Sequence, residues 1–173
     1  MRRALLLAFS LCACACAALA AAPPELEPLS FLIGDWRADG GAPGASQGID
    51  SFSRSLQDRV ILRSSFTEFR ATAEKPAFRH DDLMIVYVGE DGAVRADYFD
   101  NEGHIIRYTE TVTAPNRVSF TSASQPGAPR FRLSYELAAD GILHGEFAMT
   151  QPGQADEFHP YASWESHKVE AGK

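Results

Sequence analysis

Phe31-Leu32-Ile33-Gly34-Asp35-Trp36 is the stretch that decides the fold of this chain. Three apolar residues read as a short turn that plugs one end of a barrel. Gly34 lets the backbone bend where a side chain would resist it, and Trp36 enters the core. Upstream, Leu26, Leu29, Phe31 and Leu32 have mixed helical spacing, which predicts one short helical turn over residues 26–33. Downstream, residues 35–38 start a first strand. Residues 39–47 hold Gly40, Gly41, Pro43 and Gly44 and read as a loop.

The rest of the chain is strand-like. Strands are predicted at residues 48–55, 59–70, 81–89, 93–99, 104–112, 117–122, 129–137, 142–151 and 157–168, on alternation and on β-branched and aromatic enrichment. Phe131, Leu133, Tyr135 and Leu137 alternate with Arg130, Arg132, Ser134 and Glu136. Leu143, Phe147 and Met149 alternate with His144, Glu146 and Ala148, and Phe158, Ala162 and Trp164 with His159, Tyr161, Ser163 and Glu165. One apolar and one wet face is the pattern of an antiparallel sheet with one buried side. No stretch after residue 35 carries a helical stripe long enough for a parallel crossover. The expected fold is all-β: a single up-and-down antiparallel barrel of about ten strands, with the short N-terminal helical turn plugging one end. Connections alternate between tight turns and longer Gly-, Pro- or polar-rich loops. One end is therefore closed, and the other is a rim of loops where binding sites tend to lie.

The 173 residues suit one globular domain, assigned to residues 21–173. The net charge of −7 becomes more negative still without residues 1–20, which carry Arg2 and Arg3 and no acid. That balance argues against nucleic acid and against docking on anionic lipid, since both need a basic surface. Residues 1–20 have a charged start, an apolar run from Ala4 to Leu11 and a small-x-small Ala18-Leu19-Ala20 end, the pattern of a signal peptide cut after Ala20. The apolar run also approaches spanning length, but it is Ala-rich and ends in Pro-Pro. Cys12, Cys14 and Cys16 all lie in this segment, so a chain cut after Ala20 has no disulfide. Leu11-Cys12-Ala13-Cys14 offers a competing cut, with a lipid anchor on Cys14. Either way, the expected compartment is the bacterial envelope, periplasmic or secreted, with no membrane span.

A Gly-x-Trp at the start of the first strand, after a short turn and before an antiparallel meander, resembles the calycin group: lipocalins, fatty-acid-binding proteins and nitrobindin-like barrels. Ten strands are closer to the latter two branches than to eight-stranded lipocalins. The resemblance implies a binder of a small apolar or amphipathic ligand inside the barrel. It also implies haem as the alternative cofactor, for which His159 and His167 are the candidates, though neither sits in a matching motif. Lipocalins place an Arg from the last strand over the Trp; here the last strand has His167 and Lys168 instead, so that detail of the resemblance is not met.

The expected ligand-binding residues are Tyr98, His104, Tyr108, Trp36, Phe131, Tyr135, Phe147 and Trp164, with Phe66 also in the lining. Apolar walls with a few placed polar groups are the usual make-up of such pockets. Tyr98, His104 and Tyr108 would give a phenol–imidazole pair at the mouth, and strand parity puts Glu110 on the same face as Ile106 and Tyr108. Arg107, Arg130 and Arg132 fall on the outer face. His80, His104 and His159, with Asp81, Asp82, Asp100, Glu102, Asp156 and Glu157, make an acidic rim without the close His pairs of a preformed metal site. There is no Gly-x-Ser-x-Gly, no cysteine beyond residue 16 and no phosphate loop, so no catalytic residue is assigned and binding is favoured over catalysis. The alternatives are an envelope structural or interaction lipoprotein without a ligand, and a haem- or metal-binding barrel.

Overall fold

Alternating sequence of this kind closes on itself, because a closed sheet leaves no strand edge unpaired. A computed structural model describes residues 22–38, 44–154 and 156–170, and the backbone alone at 112 and 113. Residues 1–21, with Cys12, Cys14 and Cys16, and residues 39–43 of the first loop lie outside the described residues. The strands are β1 (Gly34–Ala38), β2 (Ala45–Ser55), β3 (Val60–Phe69), β4 (Phe78–Val88), β5 (Val94–Asp100), β6 (Ile105–Ala114), β7 (Arg117–Ser122), β8 (Phe131–Leu137), β9 (Leu143–Met149) and β10 (His159–Lys168). Each pairs antiparallel with its sequence neighbours, and β1 pairs with β10 to close the barrel. The expected all-β, up-and-down, ten-stranded barrel is what forms.

Pro24–Leu32 is a 3-10 helix that buries Leu26, Leu29 and Leu32. Pro24 starts it and Pro28 lies inside it. A proline has no N–H to give, so a long α-helix is disfavoured and a short tight one suffices. The helix sits at the end where β2 turns into β3, tied there by Arg54 Nη2, which donates to Ser30 Oγ at 2.7 Å and to Glu27 Oε2 at 3.2 Å. Trp36 Nε1 donates to the Leu32 carbonyl at 2.7 Å, so the indole is anchored to the plug. Gly34 adopts φ +130°, and a Cβ there would lie 2.7 Å from Lys168 Cε. The Gly and the Trp of the opening stretch are thus needed for different reasons, one for backbone freedom and one for volume.

Two local expectations are corrected. The β3–β4 hairpin is longer than expected: Phe69 pairs with Phe78 and their rings stack at 4.3 Å, which draws β4 back to residue 78 and puts His80 inside a strand. A bulge between Pro160 and Ala162 shifts the parity of β10. Phe158 therefore lies under the guanidinium of Arg132, at 4.5 Å on the outer face, and not with Ala162 and Trp164.

Packing is dense near the plug. Ile61, Met84, Val86, Phe120 and Leu143 are fully buried inside the barrel. Among the described residues no helix is long and apolar enough to cross a membrane.

Candidate functional site

The site is built from the cross-strand rows that face inward near the long-loop end. One row runs Asp50, Ser65, Asp82, Asp100 across β2 to β5, and the next runs Phe52, Arg63, Met84, Tyr98, Ile106 across β2 to β6. Parity places every member of a row on the same face. Since Phe52 and Met84 are core residues, Arg63 is inside with them, and so are the carboxylates of the first row.

Arg63 is the centre of the polar layer. Its Nε donates to Asp50 Oδ1 at 3.1 Å, and its Nη2 donates to Asp82 Oδ2 at 3.0 Å. Asp82 Oδ1 also lies 2.9 Å from Nη2, but it accepts no well-aligned hydrogen bond. Burial disfavours the charge on the guanidinium, but Asp82 and Asp50 more than offset it, and the Arg63 pKa is raised well above its ordinary value. Burial also raises Asp82 above the usual carboxylate range, and Arg63 only partly offsets that. The result is a desolvated ion triad with more acid than base.

Beside Asp82 a hydrogen-bonded chain runs along the rim. His80 Nε2 is 3.8 Å from Asp82 Oδ2 and 3.1 Å from the Tyr98 hydroxyl, while His80 Nδ1 is 2.9 Å from Glu102 Oε1. Tyr98 donates to Asp100 Oδ2 at 3.2 Å, and the same oxygen meets His104 Nδ1 at 2.9 Å. Carboxylate, imidazole and hydroxyl in the order Glu102, His80, Tyr98 is an arrangement that could activate a nucleophile. Its electrostatics run the other way. Burial, with Asp82 and Asp100 on either side, pushes the Tyr98 phenol far above its ordinary value, so it stays a neutral donor. Burial raises Asp100 as well, but bonds from the His104 backbone and side chain and the Glu102 backbone win and hold it low and charged.

The phenol–imidazole pair expected at the mouth exists, but Tyr98 pairs with His80. His104 is exposed at the turn and reaches the phenol only through Asp100. Tyr108 and Tyr135 face inward and are buried, as strand parity requires. Tyr135 lies edge-on to Phe52 (5.5 Å) and to Trp164 (6.1 Å), and its buried hydroxyl has no hydrogen-bond partner. Phe131 and Phe147 stack at 5.9 Å and face inward, half-buried, below the rim. Glu110 is inside beside Phe120, its Oε1 unpartnered and its carboxyl raised by burial.

Trp36 is anchored to the plug through Leu32 and pairs with Asp50 of the polar row. One expected lining residue belongs elsewhere. Phe66 pairs with Asp81 on the outer face and stacks with Arg79 at 3.9 Å; Arg63 and Ser65, its inward-facing strand neighbours, set that parity. His167 points outward beside Arg37, so of the two haem candidates only His159, at the rim opposite Met149, shares a face with the interior. Arg107 is outside and exposed near Asp97, as expected. Among the described residues no group of three His, Cys, Asp or Glu side chains is arranged to hold a metal ion.

Arg63 and Asp50 are the site residues that sequence reading missed. The signal was present: Asp50 shares parity with Phe52, and Arg63 with Ile61. Fixing the inward face of each strand by its largest apolar residue would have found both.

The fold and this interior are those of a closed antiparallel barrel, consistent with a calycin-like architecture. No family profile matches the chain, and no curated protein matches it.

Proposed function

We propose that this barrel binds a small amphipathic molecule, admitted through the long-loop end and held without chemical change. The reading places it among calycin-like barrels of the bacterial envelope. The observation that carries it is the graded burial of the lining. Near the plug, inward side chains such as Ile61, Val86 and Leu143 are fully buried, whereas Tyr98, Ile106, Phe131 and Phe147, inward and nearer the rim, keep partial exposure. On a closed barrel an inward side chain meets solvent through an end of the barrel, so these four line an accessible mouth. An apolar wall with a few fixed polar groups is how small-molecule sites obtain both affinity and orientation.

Phe131 and Phe147 supply the wall, and Tyr98, held by His80 and Asp100, supplies an oriented hydroxyl. The neutral phenol favours binding over nucleophilic catalysis. Titration of amphiphiles against the fluorescence of Trp36 and Trp164 tests the reading. Saturable quenching that is weakened by Phe147→Ala is expected. No response to any member of the panel, together with a crystallographic interior too small for an alkyl chain, overturns it.

A further inference from the structure

The polar layer says what kind of head group such a ligand carries. Fatty-acid recognition requires a cation with uncommitted hydrogen-bond donors facing the cavity. Arg63 is the cation of the inward rows, and it is committed on both sides, to Asp50 and to Asp82. Around it stand three inward carboxylates on one row, Asp50, Asp82 and Asp100. A second carboxylate entering this layer would meet three carboxylates against one guanidinium.

The unpartnered atoms point the same way. The Tyr135 hydroxyl is 99% buried with its residue, has no partner, and faces the Arg63–Asp50–Asp82 layer and Tyr108. Asp82 Oδ1, buried in the same layer, has the Arg63 Nη2 ion pair at 2.9 Å but no well-aligned hydrogen bond. Carboxylate and phenol oxygens beside the edge-on rings of Phe52 and Tyr135 suit an ammonium group, which gains charge pairing. The chain's net charge of −7 draws cations toward the mouth.

We infer that the interior layer of Asp50, Asp82 and Tyr135 receives the positively charged head of an alkylammonium-type ligand and excludes fatty-acid carboxylates. The inference rests on the ligand-binding reading above and assigns its head group.

The test is calorimetric and fluorescence titration of the full chain at neutral pH with decylamine, decanol and decanoate, each below its micellar concentration. Decylamine is expected to bind at least about tenfold more tightly than decanoate, with decanol between them. Tyr135→Phe removes only the hydroxyl and should weaken decylamine several-fold while leaving decanol unchanged. Asp82→Asn should narrow the gap between amine and carboxylate; if it does not fold, Tyr135→Phe still decides. Decanoate binding as tightly as decylamine, or a Tyr135→Phe protein with the amine preference intact, overturns the head-group assignment and leaves ligand binding standing. Failure of all three probes to bind overturns both.

Discussion

Lys168 lies across the β1–β10 pairing from Trp36, its Nζ 5.2 Å from the centroid of the indole. A cation from the last strand thus covers the tryptophan of the first. The contact is close to solvent and contributes on the order of 0.5–1 kcal/mol. The indole itself is worth far more. Trp36→Ala should cost roughly 3–5 kcal/mol through the cavity it leaves, with Lys168→Met costing under about 1 kcal/mol. Urea denaturation midpoints measure both.

Arg63→Met should be among the most damaging single changes in the barrel. It leaves Asp50 and Asp82 buried without their counter-charge, a loss of about 3–5 kcal/mol. The sign with pH is fixed by the same physics. Without Arg63 both acids hold their protons more tightly when folded than when unfolded, so the variant should regain stability as pH falls. Thermal melts at acid and at neutral pH test this; an Arg63→Met deficit that grows in acid would contradict it.

Glu110 gives the converse experiment. Burial raises its folded pKa, so ionisation opposes folding above that pKa and is without cost below the unfolded value. Glu110→Gln should therefore raise the melting temperature at pH 8, with the gain fading as pH falls through the window from the raised value down to the ordinary carboxylate one.

Gly145 lies beneath the indole of Trp164, and a Cβ at this position would collide with that ring. Gly145→Ala should cost about 1–3 kcal/mol by overpacking. It should also shift the Trp164 emission, which a purely backbone effect would leave in place.

The β2–β3 turn predicts a gain. Leu56, Gln57 and Asp58 all have left-handed φ, from 51° to 64°. Left-handed conformation costs a residue with a Cβ roughly 1–2 kcal/mol, so Gln57→Gly should stabilise by up to about 1 kcal/mol, less the entropy glycine adds to the unfolded chain. A lower denaturation midpoint for Gln57→Gly would contradict the account.

These sites also show where the sequence was readable. Period-2 alternation in β8 and β9 told inside from outside correctly because those strands run without a bulge. It failed in β10, where one extra residue at Pro160–Ala162 reversed Phe158. The turn at residues 56–58 was placed correctly although it carries no glycine or asparagine to announce its left-handed backbone. The plug was legible in Leu26, Leu29 and Leu32 as a short helical turn, but its 3-10 character and its start at Pro24 were not read. Arg63 stayed hidden because a charged residue in a strand reads by default as solvent-facing. Its burial depends on Asp50 and Asp82, partners on two other strands. The chain Glu102–His80–Tyr98–Asp100 stayed hidden for a related reason, since it requires β4 to begin at Phe78.

The pairing that brings Lys168 to Trp36 has a kinetic consequence. Every other strand pair is a hairpin whose partners are close in sequence, and each can zip on its own. The seam joins the first and last strands through Trp36↔Lys168, Arg37↔His167 and Ala38↔Ser166, and it can close only when the whole ribbon has curled. Loop-closure entropy makes that the final step of folding. Until it is taken, β1 and β10 are two free edges of complementary register on the same molecule. At high concentration, the β10 of one unfinished chain can find the β1 of another and form an exchanged dimer.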